Sequence, residues 1–504
     1  MNATYGITSN LTLDATFNPD FSQVEADAGQ IAVNERFALF FPEKRPFFLE
    51  GTEIFNLPMR LVHTRTVADP IGGAKLTGKV GGINIGYLGA VDHALEDDDV
   101  VGEAAVNLLR VRKDVGQSSN VGLIYTDRTR SSDDFNRVLG GDARFVFDRR
   151  YTLTVMGAAS RSDDPTEGAG TGTLLNVGID RSGRNLSFDV QLQDVAPDFV
   201  ARSGFIRRIG DTQLRGEVRY NWWGEQGAAV ETVGPNLEFQ GFWDHDDFWS
   251  GRGPEEWEFQ YGGRISFRNN VTFFASGILS GFDLPSDAYE GLFVDPGGGE
   301  RRPFRPDQEA FQPLHGLRLF TWFNTWQRFR GRIRAEWRQT PVFERGVGVP
   351  VEAADAWVVD GSFNVFPTRQ LQSEIGMRHE SLFLHDGGGR HSTATIPRIR
   401  TQYQFTRALF LRTIVEYDSQ DREAITDPAT GLPILNCEEE CELADGSADH
   451  DLYGEVLLSY EPSPGTVFFL GYSRTMVDDS AFAFRRMTPE SDGLFLKGSY
   501  RFRF

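Results

Sequence analysis

Strict alternation of apolar and polar residues runs through most of this chain and leaves few architectures open to it. Over 329–338, Phe329, Gly331, Ile333, Ala335 and Trp337 alternate with Arg330, Arg332, Arg334, Glu336 and Arg338. Over 211–222, Thr212, Leu214, Gly216, Val218, Tyr220 and Trp222 alternate with polar residues, as do Leu186, Phe188, Val190 and Leu192 over 185–193. Successive side chains of a strand face opposite ways, so each stretch reads as a strand with one apolar and one polar face. The last eleven residues repeat the pattern, with Leu494, Leu496, Gly498, Tyr500, Phe502 and Phe504 on one face.

A soluble sandwich would alternate too, and loop lengths separate the two cases. The pattern predicts about 22 antiparallel strands (range about 18–24), from 5–17, 70–80 and 82–92 through to 465–475 and 492–504. Their connections alternate between short ones, such as Gly81, Asp148-Arg149, Asn269-Asn270 and Pro367-Thr368, and long ones near 93–100, 195–210, 283–313 and 419–449. Short turns at one end and long loops at the other are what a transmembrane outer-membrane β-barrel shows. The terminal strand resembles the closing strand of such barrels, whose aromatics, here Tyr500, Phe502 and Phe504, are read by the barrel assembly machinery. An even strand count would put both termini on the periplasmic side in a Gram-negative outer membrane, with lipid as the surrounding partner.

Composition agrees. The mean hydropathy of −0.36 and the lack of an apolar run of about 18 residues exclude a membrane-spanning helix, but barrel strands show only every second residue to lipid. The 504 residues include 54 Gly and 41 Phe, suited to tight turns and aromatic girdles. A net charge of −21 argues against a nucleic-acid partner. Acid clusters such as Glu96-Asp97-Asp98-Asp99 and Glu438-Glu439-Glu440 read as solvated loops, with divalent-cation binding as the alternative. Cys437 and Cys441 lack the second half of a zinc site; a local disulfide in an oxidising compartment is expected, free thiols being the alternative. The eight histidines show no ligand spacing, no phosphate loop or nucleophile elbow occurs, and no cofactor is expected. No basic-then-apolar leader precedes Ala3, so a mature or trimmed chain is expected.

One segment breaks the pattern. Between the first strand and Ile71 lie Asn18, Pro19, Asp20, Phe21, Gln23, Glu25 and Asp27, then Phe40-Phe41-Pro42-Glu43-Lys44-Arg45-Pro46-Phe47-Phe48-Leu49-Glu50-Gly51. Phe37, Phe40, Phe41, Phe47, Phe48 and Phe55 are too many for an exposed loop. The expectation is one barrel domain over 1–504 whose residues 19–66 fold back into the lumen as a plug or constriction. These runs, with Gly73-Ala74-Lys75-Leu76-Thr77-Gly78-Lys79, resemble the domain-of-unknown-function family 5916. Pro197-Asp198-Phe199 and Gly204-Phe205-Ile206-Arg207-Arg208 are similar to a second signature of that family. The resemblance implies an exported bacterial protein, and in that family a family-9-like carbohydrate-binding module usually precedes this region. The chain lacks that module and has His63-Thr64-Arg65-Thr66-Val67 where the family has a Ser-Arg-Arg-Ile-Gly-like run.

Two chemistries suggest themselves. Glu25, Asp27, Glu35, Glu43 and Glu50 beside Arg36, Lys44 and Arg45 read as ion-pair networks fixing a plug, or as carboxylates for glycoside hydrolysis, which needs a defined separation. Arg330, Arg332, Arg334 and Arg338 must point away from lipid, continued by Arg398 and Arg400. They either pair with lumen acids such as those of the plug or form a positive strip biasing passage towards anions. The leading function is passage of a solute or polymer, a carbohydrate among the candidates, across the outer membrane. The alternative is an outer-membrane anchor or enzyme of glycan binding or degradation.

Overall fold

The computed structural model describes every residue except 1, 19–26, 32, 35, 95–101, 167, 297–300, 307–309, 344–348, 386–388, 438–440, 444, 464 and 501–504. Twenty-four strands make a single antiparallel sheet and four short ones a second. The fold class is the expected one, an all-β transmembrane outer-membrane β-barrel. The chain divides into two compact units, one of residues 1–27, 37–219 and 238–257, the other of 28–36, 220–237 and 258–504.

In the first unit, strands Pro70–Val80 to Leu186–Val195 pair each with the next, with one register shift between Pro70 and Gly72. Alternation is visible strand by strand. Leu123 and Leu139 are exposed, at 63% and 61%, while Ile124 and Val138 beside them are buried. The second unit runs likewise from Val271–Phe282 to Thr488–Ser499, with Leu319, Val359, Ile399 and Val415 on the exposed face. Its opposite face carries Arg318, Glu336, Arg412 and Glu455, paired at 2.7 Å (Arg318–Glu336) and 2.8 Å (Arg412–Glu455). An apolar face left bare over so many strands fits a hydrocarbon surround, in which ladders must satisfy every backbone N–H and C=O.

The N-terminal strand differs from expectation. In place of one strand over 5–17, Asn2–Thr8 and Leu11–Phe17 form a hairpin around Ser9-Asn10, whose amide bonds the Thr8 hydroxyl at 3.3 Å. The Ser-Asn pair is the turn signal that period-2 counting passed over. The described residues thus hold 23 strands of seven residues or more, leaving aside the two-residue Trp222–Trp223. Asn2 pairs with Thr16, at the end of the hairpin from which the inserted segment departs. The even count behind the expected placement of both termini is therefore not what the described strands give.

Two long connections of the second unit are also structured. Leu292–Val294 pairs with Ile434–Asn436, which pairs with Glu442–Leu443. Beneath them Tyr289, Leu292, Phe304, Val342, Val351 and Ile434 form a satellite core. Burial raises the Tyr289 phenol to about 12, and its hydroxyl donates to the Pro350 carbonyl at 3.0 Å.

A charge on the bare face separates lipid from water as its surround. Leu319→Arg, mid-strand, is expected to destabilise the protein by about 2–4 kcal/mol in bilayers. Reversible urea unfolding in lipid vesicles measures it; a cost within a few tenths would mean that the face is wet.

Candidate functional site

The inserted segment has little regular structure, only Pro46–Leu49 as a helical turn and Thr52–Phe55 and Thr64–Thr66 as 3₁₀ turns. It is held by charge. Glu43 accepts from Arg45 Nε at 2.8 Å and Nη2 at 2.7 Å, from the Thr64 hydroxyl at 2.7 Å, and from the backbone amides of Lys44 and Arg45. The Arg45 guanidinium also donates to the carbonyls of Val67 at 2.6 Å and Thr64 at 2.7 Å, and lies 4.4 Å from the Phe48 ring centre. Burial opposes ionisation of Glu43. The bonds from Arg45 and Thr64 and the guanidinium charge outweigh it, bringing the carboxyl from its ordinary 4.5 to about 2. Asp27 joins the segment to itself through Lys44 at 3.1 Å and Arg65 at 2.8 Å.

Strand residues on the face opposite the bare apolar one receive it. Asp92, fully buried, accepts from the Ala68 and Asp69 amides and pairs with Arg128 at 3.2 Å; Arg128 also donates to the Thr66 carbonyl. Buried Lys75 donates to the carbonyls of Phe47 and Glu50. Phe48, Phe55, Leu61 and Val67 fill the hollow against Leu88, Leu108, Ile124, Val138 and Met156. Of the six phenylalanines expected inside, Phe48 and Phe55 are buried and the other four are half-buried.

Residues 195–210, which alternation alone reads as a long loop, dock on the same segment. Phe199 is fully buried, the His63 amide donates to the Ser203 carbonyl and the Phe205 amide to the Arg60 carbonyl. The approach needs Gly172, where a Cβ would stand 2.2 Å from the Phe199 nitrogen. Arg202 anchors the run to Asp134 at 2.6 Å and to Asp164. The available signal was the apolar content of this run, Phe199, Val200, Phe205, Ile206 and Ile209, which is high for an exposed loop.

Where the two segments meet lies a cavity of about 680 Å³. Phe37, Phe40, Phe205 and Phe242 line it, with Gln193, Gln213 and Gln240. Arg208, between the Phe37 and Phe242 rings at 4.7 and 4.0 Å, is neutralised by Asp211 and by Glu256 at 2.8 Å. Arg60 stacks on Phe40 at 3.8 Å. Burial and the Arg60 charge push neighbouring His63 below its ordinary pKa.

The remaining candidates sit apart from this cavity. Arg330, exposed, lies 5.0 Å from the Phe366 ring; Arg332 is 3.9 Å from Asp360; and Arg338 is 3.7 Å from Glu336 and 4.0 Å from Glu258. Arg398 pairs with Glu416 at 2.8 Å. Arg334 and Arg400 are half-buried on the same strands. Strand acids interleave with this basic run and pair with Arg332, Arg338 and Arg398. Cys437 and Cys441 are joined by a disulfide, with Arg301 Nη1 2.7 Å from Cys441 Sγ. Asn18 takes a positive φ of 40° as the chain leaves its strand. Pro46 opens the helical turn, Glu50 is exposed beside it, and Tyr500 is exposed. Pro19, Asp20, Phe21, Gln23, Glu25, Glu35, Phe502 and Phe504 lie outside the described residues.

Residues 1–77 match the family model "Domain of unknown function (DUF5916)", as the N-terminal runs suggest, while Pro197–Arg208 lies beyond the matched part. No curated protein matches. Among solved structures, the ferric preacinetobactin receptor BauA of Acinetobacter baumannii is similar at 10% identity and a TM-score of 0.43, over 85% of this chain and 77% of that one. The ferric-catecholate import receptor Fiu of E. coli K12 is similar at 11% identity and 0.45, over 86% and 80%. The copper transporter OprC is similar at 11% and 0.44, over 86% and 76%.

Because Glu43 is depressed when docked, it contributes stability above about pH 4.5 that is lost as pH falls towards about 2. Hydrogen-exchange protection of residues 43–67, corrected for intrinsic rates, should hold from pH 7 to 5 and decline between 4.5 and 2. Arg45→Met, which strands a buried carboxylate, should loosen the segment by about 3–5 kcal/mol at pH 7. Protection that survives pH 2 unchanged would remove this pair as the lock.

Proposed function

We propose that the protein passes a solute across the outer membrane and that the inserted segment, within 19–66, is the constriction that governs passage. One observation carries the reading: the segment is fastened to the polar face of the strands by polar contacts, Lys75 on the Phe47 and Glu50 carbonyls and Arg128 on the Thr66 carbonyl, and not by apolar packing alone. A polar face lined by paired charges and partly covered by a docked segment is what a gated aqueous path requires. In this reading the short turns face the periplasm, and the loops holding the 680 Å³ cavity and the Cys437–Cys441 disulfide face outwards. The interleaved Arg332, Asp360, Arg338 and Glu336 make the path mixed in sign, so selectivity arises at the inserted segment.

Glycoside hydrolysis finds no support at Glu43. Its carboxylate is committed to Arg45 and Thr64, and its lowered pKa suits neither general acid nor general base at neutral pH.

Planar-bilayer recording tests the reading. The purified chain should show small or intermittent conductance, and a variant lacking 20–55 a larger and steadier one, with Arg45→Met intermediate. Baseline current from both the chain and the deletion variant would sink the channel reading.

A further inference from the structure

We propose that the cavity beside Phe40 and Phe205 is a binding site for an acidic saccharide, a sugar unit bearing a carboxylate or comparable anion. This deepens the solute-passing reading and rests on it. The volume, about 680 Å³, lies within the roughly 300–1,000 Å³ of small-molecule pockets.

The polar lining points to hydroxyl groups. Gln193, Gln213 and Gln240 come from three strands, and none of the three amides has a hydrogen-bond partner among the described residues. Each amide offers two donors and an acceptor, matching hydroxyls that both give and receive. An apolar chain placed there would leave all three amides desolvated and unpaired. The aromatic lining supplies apolar faces for the C–H side of a sugar ring.

The charge pattern points to an anion. Arg208 is spent on Asp211 and Glu256. Arg60 is exposed and has no ion-pair or hydrogen-bond partner for its side chain among the described residues; its guanidinium carbon lies over the Phe40 ring, 3.8 Å from the centre. A stacked guanidinium keeps its in-plane donors free, the geometry that holds a carboxylate by two parallel bonds. Three uncommitted amides and one uncommitted planar cation around one hollow describe a polyhydroxylated ligand with an acid group.

Titration calorimetry in nanodiscs tests this with trigalacturonate, its methyl ester (the same rings without charge) and sodium sulfate. Trigalacturonate should bind saturably, the ester roughly tenfold more weakly, and sulfate should not compete. Arg60→Gln should erase the preference for the acid while leaving the ester unchanged, and Gln213→Leu with Gln240→Leu should weaken both sugars at least tenfold. Heat-modifiable gel migration checks that each variant is folded. Arg60 and the glutamines lie off the Glu43–Arg45 lock, so unfolding is not the expected result of either change. Three results would overturn the proposal: no saturable binding of trigalacturonate, of a glucuronate-containing trisaccharide or of sialyllactose; displacement by sulfate alone; or binding indifferent to both variants. A chain that conducts but fails these tests loses the site and keeps the channel; one that binds but never conducts loses the channel alone.

Discussion

Everything in this protein follows from the requirement that backbone groups facing hydrocarbon find their partners within the chain. Continuous antiparallel ladders meet it, and a ladder forces side chains to alternate. Once Leu123, Leu139, Leu319 and Val359 take the outer face, their neighbours must turn the other way, whatever their polarity. That inner face is apolar where the inserted segment covers it, at Leu88, Ile124 and Val138, and elsewhere carries charges in matched pairs. Arg110 with Asp142 at 2.5 Å, Arg318 with Glu336 and Arg412 with Glu455 are such matches. Breaking one member of a buried pair costs far more than the pair is worth as a whole, so these contacts fix geometry more than they add stability.

The inserted segment uses the same currency at another scale. Too irregular to satisfy its own backbone, it borrows from the wall: Arg128 and Lys75 take its carbonyls, and Asp92 takes the amides of Ala68 and Asp69 just after it. Its aromatic residues fill the hollow but cannot choose a register. Glu43 and Arg45 instead tie its two ends together, the guanidinium reaching the Thr64 and Val67 carbonyls. A second segment, 195–210, then lies against the first through backbone bonds to Arg60 and His63.

Much of the wall was legible in the sequence because its signal is periodic: strands such as Phe329–Pro341 and Arg390–Gln404 fall within a residue or two of where alternation puts them. Features without a period were missed for that reason. The Ser9-Asn10 turn interrupts no alternation, since the register shift between Gly6 and Thr8 restores the parity that a two-residue loop would invert, and so two strands read as one. Docking of 195–210 depends on Phe199 meeting Gly172 on a strand two hairpin arms away, a coincidence of register that no local window contains. The short strands Leu292–Val294 and Ile434–Asn436 pair across 142 positions and carry too few residues to alternate. The inserted segment was recognisable as misplaced, by its phenylalanines, but which acid met which base was not.

That last distinction separates lock from site. Of the arginines in or beside the inserted segment, Arg45, Arg65 and Arg208 face carboxylates that neutralise them, and each is explained by the fold it holds. Arg60 is not: it supports a ring, leaves its donors free and stands beside three unspent amides. Folding alone gives no reason to keep polar groups uncommitted around a hollow, since water or a protein partner would lower the cost of each. Groups left unspent beside groups so thoroughly paired mark the place where the protein meets something other than itself.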